Sequence, residues 1–453
     1  MTRQFELFAR PAVCFYHLNS GKPPRVVEYF SKTQNVPIVS DPVDLEGMKT
    51  VFFSIHSTRD AFKVAKLAKH KRQGSVWIAG GNAATNPTAI KWIMDYVFIG
   101  DAFVAFEKIL NGTFDLRGML NCSENNIVCF NDEDNFKKAY SLGFYELSKG
   151  CKRKCFFCVN AWRREYKENN FESVKKYLDS FDGRVVNLRS NSSDDVSFYP
   201  ELIQIMKTKG IIDLNISTSI QTLTDEHIQS KSAGVKMPLG VEGFSERLRK
   251  ILNKPIKNDA LLDAVDRCLF YGKKIRTVYQ FNLPGETEND FDALLQDIEY
   301  MRQRHKKGSY SIAFIPHNAN AFTPMQWEKP YYNLNTLDRI LELGERMKGS
   351  GKTGLSVHPI IPLSPLGWFK MQISEFVPIT PQVAKALPDS APKKETVEYY
   401  IDRVSAAVDV GYVFEEKDEN FDFPWDNVKV ATDKKELYRH YQKMKKRIER
   451  SNT

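Results

Sequence analysis

Residues 274–304 read KIRTVYQFNLPGETENDFDALLQDIEYMRQR. A run rich in β-branched and aromatic residues reads as a strand ending near Phe281. Pro284-Gly285 makes a turn, and ENDFDALLQDIEYMRQR follows as a helix. This is one β/α unit. Working outward, the same alternation repeats. Upstream, KMPLGVEG (236–243) precedes the helix SERLRKILNK (245–254), and GRVVNLRS (183–190) precedes a helix around PELIQIMKTKG (200–210). IIDLNIST (211–218) is a further strand, and downstream YSIAFIPHNA (310–319) is another. Five or six such units from residue 141 onward predict a full or partial (β/α) barrel of the TIM type, with its site at the carboxyl ends of the strands.

The first part of the chain alternates too. KTVFFSIHS (49–57), SVWIAGGNAA (75–84) and YVFIGDA (96–102) read as strands. DAFKVAKLAKHKRQ (60–73) and NPTAIKWIMD (86–95) read as helices between them. The pattern predicts a Rossmann-like, doubly wound α/β domain with a parallel sheet. Ligand contacts in such a sheet fall beyond the strand ends, at His56 and Ser57, at Gly80, Gly81 and Asn82, and at Gly100 and Asp101. The expected division is a doubly wound domain over 1–125, an Asn/Asp-rich linker over 126–140, a barrel over 141–345 and a mixed extension over 346–453. A length of 453 residues fits about three domains.

Composition bounds the function. Apolar residues make up 42% and charged residues 27%, which suits a chain with a sizeable core and argues against disorder. No apolar run is long enough to span a membrane, and MTRQFELFARPAV lacks the pattern of a cleaved leader, so a cytoplasmic protein is expected. Seven cysteines are present, and three of them crowd into YELSKGCKRKCFFCVNAWRREY (145–166). Cys151, Cys155 and Cys158 are spaced C-x3-C-x2-C. Thiolates are soft ligands for zinc or iron–sulfur clusters. A structural zinc site asks for four ligands, usually as two close pairs, and no second pair stands nearby. Three thiolates alone suggest a cluster with one open iron. Cys14, Cys122, Cys129 and Cys268 read as ordinary thiols.

The trio, with an aromatic residue just before its third cysteine, resembles the radical S-adenosylmethionine (SAM) enzymes. Further stretches resemble that superfamily in the right order: LGVEGFSERLRKILNKP (239–255), FNLPGETENDFDALL (281–295), IPHNANAFTPMQWEKP (315–330) and FPWDNVKVATDKKEL (423–437). The combination is similar to a subgroup with an N-terminal cobalamin-binding-like domain. The resemblance implies that Cys151, Cys155 and Cys158 hold a [4Fe–4S] cluster whose fourth iron chelates SAM. It implies that Phe157 packs near the adenine. It places Glu242, Ser190 and Asn191 at strand ends where methionine or ribose groups bind. Arg247 is a candidate for the methionine carboxylate, with a structural role on its helix as the alternative, and for Glu242 the alternative is an ordinary ion pair with Arg247 or Arg249. Gln280, Asn282 and Gly285 flank the loop that faces adenine. At 189–191 the chain has Arg-Ser-Asn where many members carry two glycines and a glutamate.

Cobalamin is a candidate third cofactor. The motif D-x-H-x-x-G is absent, since neither His17 nor His56 has the required neighbours. A methylthiotransferase would need three further cysteines in the first domain, and Cys14, Cys122 and Cys129 have the wrong spacing. The resemblance also implies a reductant protein such as flavodoxin or ferredoxin as a partner. Residues 433–453 carry eight Lys/Arg against three Asp/Glu. Leu437, Tyr441, Met444 and Ile448 form one face there, so a packed helix is expected. A phosphate-contacting surface for a nucleic-acid substrate is the other reading, as it is for Arg163 and Arg164 behind the trio. The readings in play are therefore a SAM-cleaving enzyme with or without cobalamin, and a non-catalytic iron–sulfur or zinc protein with a nucleic-acid surface.

Overall fold

The computed structural model describes residues 12–124, 126–133, 136, 143–213, 219–231, 236–348, 354–360, 362–390 and 395–452. The chain is a mixed α/β structure built on two parallel sheets.

The first sheet has six strands: β1 (Val13–Tyr16), β2 (Ile38–Val39), β3 (Thr50–Ser54), β4 (Val76–Gly80), β5 (Tyr96–Phe98) and β6 (Met119–Asn121). Their order is β2-β1-β3-β4-β5-β6, parallel except for the β5–β6 pair. Successive side chains on a strand point to opposite faces. Phe15, Phe52, Ile78 and Phe98 therefore meet Val27 and Phe30 of the helix Arg25–Gln34 on one face. Val51, Phe53, Trp77 and Ala79 face the other way, toward the helix Asp60–Leu67 and the main core. The order reverses beside β1, which is where open sheets leave a crevice beyond their strand ends. Gly81, just after β4, stands at φ +107°, and a Cβ there would come within 2.6 Å of the Ile55 carbonyl oxygen. Gly81→Ala is expected to destabilise the fold by about 1–3 kcal/mol, read as a lower midpoint in urea unfolding.

The helix expected over 86–95 is a set of turns instead. The amides of Ile90 and Lys91 donate to Pro87 O, and that of Met94 donates to Ile90 O. Ala89, Ile90, Ile93 and Met94 are all buried, so tertiary packing fixes a segment too short to sustain a helix by itself.

The second sheet holds four parallel strands, β7 (Lys236–Glu242), β8 (Lys274–Phe281), β9 (Ser309–Pro316) and β10 (Ser356–Ile360), in sequence order. The helices Asn258–Phe270, Glu288–Arg304 and Leu334–Met347 link them. Thr287 and Asp290 cap the second of these reciprocally. Earlier units supply short parallel pairs, Tyr145–Glu146 with Leu188–Arg189 and Val185–Val186 with Ile212–Asp213. These cover their own small core around Leu147, Leu188, Leu202 and Met206. Among the described residues the strands do not close into a complete barrel. Most of the expected strand 211–218 lies outside the described residues.

The last hundred residues pack back against the rest of the chain. Val428–Lys429 pairs with Val128–Cys129, inside the stretch expected as a linker. Ile379 N–H donates to Ala89 O at 3.0 Å. One continuous apolar core includes Trp77 of the first sheet, Tyr310 of the second, and Trp368, Trp425 and Tyr441 of the last segment. No helix among the described residues is long and apolar enough to cross a membrane.

Candidate active site

The cysteine loop is held from several sides. Gly150 opens it at φ +71°, where a Cβ would come within 2.5 Å of Glu165 O. Inside the loop, Cys158 N–H donates to Cys155 O at 3.2 Å and Ala161 N–H to Cys158 O at 3.0 Å. The Trp162 indole also donates to Cys155 O, at 2.9 Å. From the next unit, Phe156 N–H donates to Leu252 O at 3.1 Å and Asn253 Nδ2 to Lys154 O at 2.8 Å. Arg153 grips Asp195 with two nitrogens, at 2.8 and 2.7 Å. Each clamp lowers the entropy of a loop that must present three sulfurs together.

Those sulfurs lie near enough to feel one another's charge. Burial pushes the Cys155 thiol up to about 12, with charge on Cys158 and Cys151 adding to it. Burial also raises Cys151 and Cys158. Among the described residues, no three His, Cys, Asp or Glu converge on a single-ion site. Thiolates that each hold a separate iron of a cluster need not converge. Cys14, Cys122 and Cys268 are pushed up to about 12 by burial, so they stay protonated and inert.

Beside the sulfurs lies a charged pair that the sequence reading did not single out. A bulge between Gly240 and Glu242 ends β7, and Glu242 stands at φ +76°. Bulges of this kind re-aim side chains at sites. Glu242 Oε1 meets Lys254 Nζ at 3.0 Å, with side chains only 12% and 14% exposed. A Cβ on Gly240 would come within 2.9 Å of both atoms, so glycine leaves room for the pair. Burial alone would push the Lys254 ammonium down, but Glu242 and the Cys155 and Cys158 thiols shift it upward overall. Gln280 Nε2 donates to Glu242 Oε2 at 2.8 Å, and the His317 ring approaches Gln280 Oε1 at 3.4 Å. Burial drops His317 to about 3, so its imidazole is neutral.

The remaining expected residues divide into two groups. Asn191 joins the loop: its Nδ2 donates to Gly150 O at 2.5 Å and its Oδ1 accepts from Asn160 Nδ2 at 3.2 Å. Ser190 is nearby, on Ser193 Oγ at 3.4 Å, and Phe157 packs against the core beside Cys158. Asn282, at φ +65°, accepts from Asn333 N–H at 2.9 Å while its buried Nδ2 has no partner. Arg247 and Gly285 sit elsewhere. Arg247 is held by Asp290, with Nε to Oδ1 at 3.2 Å, and by Gly285 O at 2.6 Å. Gly285 itself abuts Ile448. Neither Arg247 nor Arg249 pairs with Glu242, because Arg249 turns inward to Ile256 O and Gly243 O.

Residues 145–298 match the radical SAM superfamily profile. That stretch is a radical SAM domain. Such a domain implies a [4Fe–4S] cluster and SAM as cofactors, and the residues present fit both. Cys155, buried, and Cys151 and Cys158, half-buried, supply soft donors for irons. Unpartnered Asn282 Nδ2, His317 Nε2 and Asn318 Oδ1 lie at or just beyond the ends of β8 and β9, where polar groups of a bound cofactor would satisfy them.

A curated relative, the ribosomal protein uS12 methylthiotransferase RimO of Pseudothermotoga lettingae, is 22% identical over 182 residues, or 35% of this chain and 41% of that protein. The solved structure of the cobalamin-dependent radical SAM enzyme OxsB with aqua-cobalamin bound aligns over 64% of this chain and 52% of its own, at 12% identity and a TM-score of 0.45. Methylornithine synthase PylB aligns over 58% of this chain and 80% of its own, at 16% identity and a TM-score of 0.32.

A cavity of about 320 Å³ opens between the loop after Cys158 and the strand ends of the first sheet. His56, Asn82, Asn160, Arg163 and Glu375 line it. Arg163 bridges its two sides, from Asn82 O at 3.3 Å to Asn160 Oδ1 at 3.0 Å. Arg164 turns away, to Asp132 at 2.7 Å. Burial raises the Glu375 carboxyl to about 7, partly offset by Asn86 Nδ2 at 2.8 Å. The folded chain therefore keeps a proton there that the unfolded chain releases. Stability falls as pH rises from the ordinary carboxylate range through about 7. Glu375→Gln is expected to remove on the order of 3 kcal/mol of that pH dependence, measured by urea unfolding in the ordinary carboxylate range and again above neutrality.

Proposed function

We propose that this enzyme cleaves SAM reductively and uses the radical to modify a substrate held in the cavity beside Cys158. The observation that carries the reading is the adjacency of Cys155 and Cys158, in the three-cysteine loop, to the Glu242–Lys254 pair at the strand ends. When bound, the cluster supplies the electron that breaks the sulfonium bond and releases a 5′-deoxyadenosyl radical for hydrogen abstraction. The chain's own residues hold and orient. Cys151, Cys155 and Cys158 ligate irons. Lys254 balances the negative charge that thiolates and Glu242 bring into a buried place. Glu242, Gln280 and Asn191 offer acceptors and donors for the polar groups of SAM. Arg163, a cation on the cavity wall, suits an anionic substrate group.

The doubly wound and barrel-like reading of the two sheets belongs to the same proposal, with the site at the carboxyl ends of both. The methylase form adds cobalamin at the strand ends of the first sheet. A cavity of about 320 Å³ lies at the small end of ligand pockets, so a corrin would require it to widen. A cytoplasmic setting agrees with unpaired cysteines throughout the described residues. The test is anaerobic purification with iron, sulfide and cobalamin assays on one sample, followed by SAM turnover. Formation of 5′-deoxyadenosine supports the enzyme. Cobalamin in the same sample selects methylation, and an intact cluster that never cleaves SAM would overturn the catalytic reading.

A further inference from the structure

We propose that the outward face of the helix Lys434–Asn452 is the docking surface for an acidic one-electron donor protein. The proposal rests on the cluster reading above and names the partner of that site.

The helix has two chemically different sides. Leu437, Tyr441 and Met444 are buried against the body of the protein. The His440 ring lies 4.7 Å from Trp162 and 5.9 Å from Phe156, centre to centre. Arg447 stands 5.2 Å over the Phe156 ring and donates to Lys250 O at 2.8 Å and to Asn253 Oδ1 at 3.0 Å. Phe156 follows Cys155 directly, and Asn253 holds Lys154. The inner side thus braces the loop that carries the three cysteines.

The outer side is a row of cations. Lys434 and Lys445 are taken by Asp426 at 2.6 Å and by Glu416 at 3.1 Å. Lys435, Arg439, Lys443 and Lys446 are exposed, at spacings of four, four and three residues. At 3.6 residues per turn they share an arc of about 80° and a length of about 17 Å. Lys250, on the neighbouring helix, is also exposed. Such a stripe attracts an acidic partner over a distance and speeds its encounter. Short-lived redox complexes use small interfaces of this kind. A helix is about 10–12 Å across, so a donor seated on the stripe stands one helix thickness from the cysteine loop. The transfer is simple: the donor loses one electron, the cluster gains it, and no bond forms or breaks.

A single-stranded nucleic acid is the competing occupant. Such surfaces stack bases on exposed aromatic rings between the cations. Among the described residues, none of the exposed large apolar side chains lies on this helix. That favours the protein donor.

The experiment uses the full chain and flavodoxin as the probe. A charge-reversal variant carries Lys435→Glu, Arg439→Glu, Lys443→Glu and Lys446→Glu, and a milder variant carries Gln at the same positions in case reversal disturbs folding. In the first arm, binding of oxidised flavodoxin is titrated against salt, which needs no cluster. Wild type is expected to bind more weakly as salt rises, and reversal to weaken binding by about tenfold or more. In the second arm, reduced flavodoxin and dithionite each reduce the reconstituted cluster. Reversal is expected to slow the flavodoxin reaction about tenfold or more and leave dithionite unchanged. Equal binding and equal rates in wild type and both variants would overturn the proposal. So would stripe-dependent binding of a single-stranded RNA oligomer with flavodoxin binding unaffected. If no four-iron cluster forms, the cluster reading fails, and the first arm still decides the docking surface.

Discussion

Replacing Cys155 with serine is expected to abolish cluster assembly, leaving iron and sulfide near background and no 5′-deoxyadenosine above control. Cys155 is 7% exposed and its neighbouring backbone is fastened on both sides. A harder, less acidic hydroxyl in that place is a poor substitute for a thiolate. The empty site also has a pH signature. Burial holds the Cys155 thiol protonated up to about 12, so metal must displace a proton to bind. Reconstitution yield is therefore expected to rise with pH in the wild type, with a near-native far-ultraviolet spectrum throughout. Retention of a full cluster in Cys155→Ser would show that another residue is the ligand.

The second large effect falls on Lys254. Lys254→Met leaves the Glu242 carboxylate buried beside the thiols with its ammonium partner gone. Breaking one side of a buried pair costs about 3–5 kcal/mol. The measurement is urea unfolding of the cluster-free chain. The double variant Lys254→Met/Glu242→Gln removes both charges and is expected to recover most of the loss. In the loaded protein Lys254→Met is also expected to lower the reduction potential, because a nearby cation favours the more negative, reduced state. Equal stability of wild type and Lys254→Met would show that the pair carries no weight.

How much of this was legible in the sequence follows from how local each feature is. The C-x3-C-x2-C spacing and the turn at Pro284-Gly285 are set within a few residues, so their elements stand where the pattern puts them. Glu242 was legible as a polar residue at a strand end. Its partner was not, because a bulge at Gly240–Glu242 turns the carboxylate toward Lys254, twelve residues on, and away from the nearer arginines. Arg247 is diverted by Asp290, which the capping of the following helix holds in place. The basic last helix showed its packed face through Leu437, Tyr441 and Met444. Its contact with Phe156 joins residues almost three hundred positions apart, and no local pattern announces that. The turns over 86–95 mislead for the same reason, since long-range packing there overrides an apolar, helix-like pattern.

The central claim is that three thiolates of this chain hold a four-iron cluster with one iron open to SAM. Electron paramagnetic resonance of the anaerobically reconstituted, reduced protein, recorded before and after SAM is added, tests it most directly. The account predicts a reduced-cluster signal that changes shape on addition. One zinc per chain with no cluster signal, or a cluster signal indifferent to SAM, would contradict it.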